Sequence, residues 1–555
     1  MSFKLPDAPL RVEIRHPLRK LLSPEEIPLP ASPAFHLSPE VPQDLDFGKE
    51  YVGSLHFVKQ GKGKLHLRYG EIPEELSCPE DAATCDWYEL PRDTVTKNGA
   101  IVIRRRAFRY LRLFSENGEV DLYDLEFHTE EWPLDMRGSF HCSHPRLEQI
   151  WELCRHTIRL CTQNYLEDGV KRDTLLWIGD ARVEAQCVYA LSGDYEPVRR
   201  SLLLMANSQH RDGMIPGCCS GGGGNLGTDA PYMFPGKAKA PDTELTTYCA
   251  DFLSMLKEYY LYSGDRKSVE ELFDTALRQA RYLVRPGWWE PFGGVLLAPE
   301  AKFWNPPEDV INDAASALTA VLCGLRDFLL TAEMLGKTSS VSDITERTEL
   351  LKALLISRYL NWSDHLLQMP NREEPVTFTG QSFALSGGLI SREEAAVNFA
   401  ALLEGKPPAA FPSDGMSRYW MLKGLFEAGL GNAALQEIEQ SWGFMLDHGA
   451  STTWEKINLH KPDRFLKHLR GSRCHGWSAG PSALFSRFLL GVTIEEPGCG
   501  SLKISPDLCG LEWVRGIFPT PHGDVSISVD PQTIRIQAPQ QIQVEVAARQ
   551  KIRLN

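Results

Sequence analysis

Residues 168–180 read Asp168-Gly169-Val170-Lys171-Arg172-Asp173-Thr174-Leu175-Leu176-Trp177-Ile178-Gly179-Asp180. Three carboxylates, two cations and a Trp fall within 13 residues, between one helical pattern and the next. Carboxylates at the two ends of a loop between helices can face one pocket. Two carboxyls flanking a bond are what glycoside hydrolysis needs, one protonated as acid and one ionised as base. Burial and neighbouring carboxylates raise the pKa of the first towards that role. The same spacing also suits a helix N-cap with surface ion pairs. A second cluster is Ser451-Thr452-Thr453-Trp454-Glu455, in a turn after His448-Gly449-Ala450. There Glu455 either faces a sugar beside Trp454 or caps a helix. A third, Cys474-His475-Gly476-Trp477-Ser478-Ala479-Gly480-Pro481, opens the last helical segment. His475 either hydrogen-bonds a substrate hydroxyl or is a satisfied structural histidine.

Other chemistries find less support. Ser220-Gly221-Gly222-Gly223-Gly224-Asn225 is followed by no Gly-Lys-Ser/Thr, so it is not a phosphate loop. Gly222 to Gly227 fits G-x-G-x-x-G by letter, but neither follows a readable strand nor opens a helix. There is no G-x-S-x-G and no His-Glu-x-x-His. The 13 Cys are irregularly spaced without a CxxC pair, which argues against a zinc framework and for reduced thiols. Net charge is −14, which argues against nucleic acid and against an anionic membrane surface. No run reaches 18 apolar residues, so no transmembrane helix is expected. The first twenty residues lack an apolar signal core, and the expected location is cytoplasmic.

The elements that must position these residues fall into three textures. Residues 1–140 are Pro-rich with period-two stretches, as in Lys64-Leu65-His66-Leu67-Arg68-Tyr69, Ile101-Val102-Ile103-Arg104 and Tyr110 to Phe114. They are expected to form an N-terminal β-domain with a turn at Asn117-Gly118. Arg104-Arg105-Arg106 is expected on a solvated strand face. Residues 141–490 are helical: Leu147, Ile150, Trp151, Cys154 and Ile158 recur at spacings of three and four. Four apolar helical patterns end at Gly193, Gly264, Gly336 and Gly429-Leu430-Gly431, the first three 71 and 72 residues apart. Ten to twelve candidate helices in hairpins suit a closed six-hairpin ring, an (α/α)6 barrel. The alternative is an open α-solenoid. Residues 491–555 return to alternation, as in Val525 to Val529, Ile534 to Gln537 and Ile542 to Val546, and are expected to form a small C-terminal β-domain.

The three clusters, in this order, resemble the bacterial α-L-rhamnosidases of glycoside hydrolase family 78. Asp168 to Asp180 is similar to that family's signature D-x-x-x-R-D/E…W-x-G-D. Asp212-Gly213-Met214-Ile215-Pro216 is similar to its D-G-x-I-P loop, and Thr452-Thr453-Trp454-Glu455 to its late T-x-W-E motif. Cys474-His475-Gly476-Trp477 resembles the segment with its substrate-binding His. The resemblance implies a mainly α fold, an (α/α)6 barrel flanked by an N-terminal β-sandwich-like domain and a small C-terminal β-domain. It implies an inverting exo-hydrolase for terminal α-L-rhamnose, with a carbohydrate as partner and no metal or cofactor. Asp173 would be the general acid and Glu455 the general base. Asp168, Arg172, Trp177, Asp180 and His475 would hold the sugar, with Trp454 lining the same pocket. The family's acid is often Glu, at this position or the next; Asp173 reaches about 1.5 Å less far, and Thr174 is no acid. The alternatives are another glycone, other barrel enzymes such as lyases or phosphorylases, or an inactive glycan-binding homologue.

Overall fold

The structure is a computed structural model. It describes residues 11–15, 33–39, 41–77, 100–171, 174–219, 245–285, 314–361, 363–368, 375–457, 459, 471–547 and 551–554.

The N-terminal strands are β1 (Arg11–Arg15), β2 (Phe35–Leu37), β3 (Gln43–Gln60), β4 (Lys64–Gly70), β5 (Ala100–Glu116) and β6 (Val120–Glu131). They form an antiparallel sheet in the order β1-β6-β3-β5-β4, with β2 also on β6. The two alternating stretches at 101–104 and 110–114 are parts of one strand, β5. It turns into β6 at Asn117-Gly118, both at positive φ. The sheet has its own core, including Leu55, Phe57, Leu67, Phe108, Leu113, Leu122 and Phe127.

A short strand, β7 (Ser139–Cys142), leads into the helices: α1 (Pro145–Cys161), α2 (Ile178–Leu191), α3 (Glu196–Asn207), α4 (Thr246–Ser263), α5 (Arg266–Leu283), α6 (Ala314–Met334), α7 (Ser342–Arg358), α8 (Phe378–Ser386), α9 (Arg392–Leu403), α10 (Gly415–Glu427), α11 (Gly431–Asp447) and α12 (Gly480–Leu484). The even-numbered helices pack in succession: α2 on α4, α4 on α6, α6 on α8, α8 on α10, α10 on α12, and α12 back on α2. That last contact closes the ring and excludes an open solenoid. The Cys187 thiol on α2 reaches the Ala479 carbonyl just before α12 at 3.3 Å. The fold is the (α/α)6 barrel.

Position in the ring explains the sequence patterns. Outer helix α1 buries Leu147, Ile150, Trp151, Cys154 and Ile158 along one stripe and starts with Pro145, whose missing N–H costs nothing at a helix start. Inner helix α6 is apolar nearly all round because α4 and α8 flank it. It alone among the described helices is long and apolar enough to cross a bilayer, yet it is a wall of the ring. Gly193, Gly264, Gly336 and Gly429 all lie at φ between +67° and +85°, as the helix-end reading requires. At Gly264 a Cβ would also come within 2.9 Å of the Gly498 Cα, so the hairpin turn has no room for a side chain.

Two minimal ladders stand at inner-helix starts. Strand β8 (Leu176–Trp177) runs directly into α2 and pairs with β9 (Cys218–Cys219), and β10 (Val376–Thr377) runs directly into α8 and pairs with β11 (Ala409–Ala410). After α12 and a π turn over Phe485–Leu489 come β12 (Val492–Ile494), β13 (Ser501–Ile504), β14 (Val514–Thr520), β15 (Gly523–Val529), β16 (Thr533–Gln537), β17 (Gln543–Val546) and β18 (Lys551–Leu554). They form a three-stranded sheet, β12-β13-β17, and a five-stranded one, β18-β16-β15-β14-β7. The edge strand β7 comes from far upstream, a pairing that leaves no local mark in the sequence. Its Phe140 packs on Trp151 and Phe485, so the C-terminal sheets share the barrel's core.

The N-terminal sheet meets the barrel differently. Val52 and Ala107 pack on Leu160, Cys161, Val170 and Cys474 in a small apolar patch. This corrects the expectation for the arginine run. Arg105 pairs with Glu167, which is fully buried, and Arg106 is buried with its guanidinium 5.9 Å from the Tyr69 ring. The face of β5 that carries Arg105 and Ala107 is turned to the barrel rather than to solvent, and the Glu167 carboxylate meets the charge there. The Arg104 side chain lies outside the described residues.

Candidate active site

Asp168, Asp180 and His475 meet where the inner helices begin. Asp168 lies in the loop after α1. Its Oδ1 accepts from the Leu175 amide at 3.0 Å, and its backbone is tied to Leu175 and to Gly476. Asp180 is in the first turn of α2, but Trp177 holds the N-cap position, so Asp180 is not a cap. Its Oδ2 accepts from the Tyr248 hydroxyl on α4 at 2.8 Å. His475 is brought in by a bridge to Gly169 and by its own amide on the Thr453 carbonyl. The His475 Nε2 stands 3.8 Å from Asp168 Oδ2 and 3.9 Å from Asp180 Oδ1. All three residues are at most 4% exposed, so the surface ion-pair alternative fails for both aspartates.

Aromatic rings wall this triad. Trp477 packs tilted against His475 with centroids 4.2 Å apart, and Trp177 meets Tyr248 edge-on at 6.2 Å. Trp477 also reaches the second cluster, donating its indole N–H to the Glu455 carbonyl at 3.1 Å. Glu455 is 5% exposed and held from several sides. Its Oε2 accepts from the Ser472 amide at 2.9 Å, and its own amide donates to the Ser472 carbonyl. Its carbonyl also accepts from the Gly415 amide at the start of α10. Trp454 is buried with its ring edge-on to Phe444 on α11 and under the Arg473 guanidinium, 4.5 Å away.

Arg172 and Asp173 lie outside the described residues, as does the Gly-rich stretch 220–227. Their neighbour Thr174 is described, at φ 53°. A β-branched residue there is strained by about 1–3 kcal/mol. The strain is held by the Thr174 amide on the Gly169 carbonyl and by the Tyr165 hydroxyl on the Thr174 carbonyl. The Asp212 to Pro216 loop is a structural turn. Gly213 sits at φ +102°, Asp212 Oδ1 accepts from the Met214 amide, and Gln279 accepts from the Ile215 amide.

Sequence reading gave no role to Trp477 within the third cluster and missed Tyr248 and Glu184. Tyr248 sits in an apolar helical pattern and looks like core. Burial and the adjoining Asp180 push its hydroxyl well above the usual phenol range, so it stays a donor. Glu184 is one turn after Asp180 on α2 and fully buried, against the Gly476 backbone, where a Cβ would come within 2.2 Å of its Oε1. Burial, then Cys161, Asp180 and Glu167, push the Glu184 carboxyl well up.

The site is therefore acidic, aromatic-walled and buried, with acceptor oxygens and an imidazole converging within 4.8 Å. Such a set can hold the hydroxyls of a sugar. By ligand type it can also hold a divalent cation.

The family model for the bacterial α-L-rhamnosidase six-hairpin glycosidase domain matches residues 135–489. The chain belongs to that family. The match runs from just before β7 to the end of the π turn and takes in the triad and Glu455. Among relatives of the family, an α-L-rhamnosidase of Alteromonas sp. (strain LOR) is 21% identical, over 87% of this chain and 53% of its own length. The family's solved structures share the fold. A rhamnosidase of Bacillus sp. GL1 matches with a TM-score of 0.75 at 21% identity, over 92% of this chain and 54% of that one. A Klebsiella oxytoca rhamnosidase with rhamnose bound matches with a TM-score of 0.68 at 24% identity, over 81% and 88%. The chain spans about half the length of the curated family relative it matches.

Proposed function

We propose that the protein is an inverting exo-acting glycoside hydrolase that releases terminal α-L-rhamnose from glycosides or oligosaccharides. The observation that carries this reading is the buried Asp168–Asp180–His475 triad, joined through Trp477 to Glu455, in a barrel of this family. One hydroxyl set between the triad's polar atoms donates to a carboxylate and accepts from the imidazole N–H. The Trp177 and Trp477 rings offer flat faces to the sugar's C–H groups, and Arg172 is assigned to the same sugar on its motif position.

In the mechanism, Asp173 gives its proton to the glycosidic oxygen as that oxygen leaves the anomeric carbon. Glu455 takes a proton from a water attacking the same carbon from the opposite face. One C–O bond breaks, one forms, and the proton lost by Asp173 is replaced in its pair by the one Glu455 gains. Inversion requires the two carboxyls about 6.5–9.5 Å apart, leaving room for the water. Positive charge develops on the sugar ring in the transition state, and buried carboxylates nearby favour it.

The test is a panel of aryl glycosides. The α-L-rhamnoside is expected to be cleaved, and the α-D-mannoside and β-linked analogues to be left intact; cleavage of another glycone in preference would overturn the specificity. Dialysis against EDTA is expected to leave the rate unchanged, since the triad is assigned to sugar hydroxyls. Tyr248→Phe removes the hydroxyl that orients Asp180. Hydrogen bonds to charged groups are worth about 1.5–3 kcal/mol, so KM for the rhamnoside is expected to rise at least ten-fold. An unchanged KM in Tyr248→Phe would take Asp180 out of the sugar site.

A further inference from the structure

The N-terminal sheet places three carboxyls behind the site. Glu50 projects from β3, Glu71 follows β4, and Glu75 sits in a single 3-10 turn, Pro73–Leu76, whose start is set by Pro73. The corner folds back on itself: the Glu71 amide donates to Glu75 Oε2 at 2.8 Å, and Gly70 leaves the space a side chain would take from Ile72 and Glu75. All three acids are at most 5% exposed. Burying them costs several kcal/mol each unless they are paired.

Their partners come from the two loops of the site. Lys171, in the loop that begins at Asp168, is buried with its Nζ on Glu75 Oε2 and 3.9 Å from Glu71 Oε2. Glu71 Oε2 accepts from the Arg473 amide at 2.8 Å, and Glu71 Oε1 lies 3.3 Å from the Ser472 hydroxyl. Glu50 Oε2 accepts from the Thr452 hydroxyl at 3.2 Å, and the Glu50 amide donates to the Ser451 hydroxyl. Three carboxyls thus face two cations. Burial and the neighbouring Glu71 push the Glu50 carboxyl well up, and burial also pushes Glu71 up against the pull of Lys171. Burial also pulls the Arg473 guanidinium down, and Glu71 and Glu75 oppose this in part.

The consequence runs directly to Glu455. The segment that Glu71 fixes, Ser472-Arg473, supplies the amide that Glu455 Oε2 accepts. Its Arg473 also faces Glu455 electrostatically and lies over the neighbouring Trp454 ring. We propose that Glu71 of the N-terminal sheet is a positioning residue for the reaction: with Glu75 it clamps the Lys171 loop and the Ser472–Arg473 segment together, and so sets the place and charge of Glu455. This rests on Glu455 being the general base. The N-terminal sheet is then a working part of the site.

The test compares the full chain with Glu71→Ala, Glu71→Gln and, as a control, Asp44→Asn, which breaks only an exposed bridge to Arg112 on the same sheet. For Glu71→Ala the turnover number kcat is expected to fall about 10–10²-fold, as misplacement of a reacting group does, with KM within two-fold. The acid limb of kcat/KM is expected to move to higher pH, because Glu455 loses an amide donor and a facing cation, both of which favour its ionised form. Glu71→Gln keeps an acceptor oxygen and is expected to fall between wild type and Ala; Asp44→Asn is expected to match wild type. Hydrogen exchange of the 471–477 backbone is expected to quicken in Glu71→Ala. A folded Glu71→Ala with wild-type kcat, pH limb and exchange would overturn the proposal. So would a loss that merely follows the fraction of unfolded protein, with the wild-type pH profile kept. A wild type that cleaves no rhamnoside overturns the functional reading instead, and the exchange measurement still decides the clamp.

Discussion

Glu455→Gln is expected to lower kcat/KM on an α-L-rhamnoside about 10²–10⁴-fold, the usual loss for a general base. The substitution is a clean one because of how Glu455 is held. Its amide and carbonyl are fixed by Ser472, Trp477 and Gly415, so the backbone does not depend on the side chain's charge. Gln keeps an oxygen to accept from the Ser472 amide, so the side chain keeps its place. What Gln lacks is the basicity to take a proton from water. Azide, a nucleophile that needs no deprotonation, is therefore expected to restore turnover and give a rhamnosyl azide of inverted configuration. Steady-state kinetics with and without azide check this. Wild-type activity in Glu455→Gln would remove the residue from the chemistry.

The second large effect is expected at Asp173. Asp173→Asn is expected to cost about 10²–10⁴-fold on a rhamnosyl disaccharide, whose alkoxide leaving group needs a proton. On a 4-nitrophenyl rhamnoside the loss is expected to be much smaller, because that aglycone leaves as a stable anion. The ratio of the two losses is the readout, measured with both substrates at one pH. Equal losses would mean that Asp173 holds the sugar or the loop rather than protonating the bond.

Much of the barrel was legible because its signals are local. The stripe Leu147, Ile150, Trp151, Cys154, Ile158 and the glycines at 193, 264 and 336 each report the backbone within a turn or two. The motif residues Asp168, Asp180, Glu455 and His475 were legible by type and spacing, and they come together as a buried set or through Trp477. What local pattern does not carry is partnership over long distances. Strand β7 joins β14 some 370 residues on, and nothing in Ser139 to Cys142 marks it. Arg105 looked solvated because an Arg in an alternating strand usually is; only the buried Glu167 across the domain boundary reverses that. Glu50, Glu71 and Glu75 were unreadable for the same reason, since each is an ordinary acidic residue until Lys171 and Arg473 are set against it. Trp454 and Trp477 show the limit of reasoning from type. Trp477 packs against His475, while Trp454 packs between Phe444 and Arg473.

The account turns on a water that attacks from the face opposite the leaving group, activated by Glu455. Proton NMR of the wild-type protein with an aryl α-L-rhamnoside, following the anomeric signals from the first minutes, tests this most directly. The expected result is β-L-rhamnose appearing first, with the α anomer growing in only as the free sugar mutarotates. If α-L-rhamnose appears first, the configuration is retained, a carboxylate has acted as nucleophile, and the single-displacement mechanism is wrong.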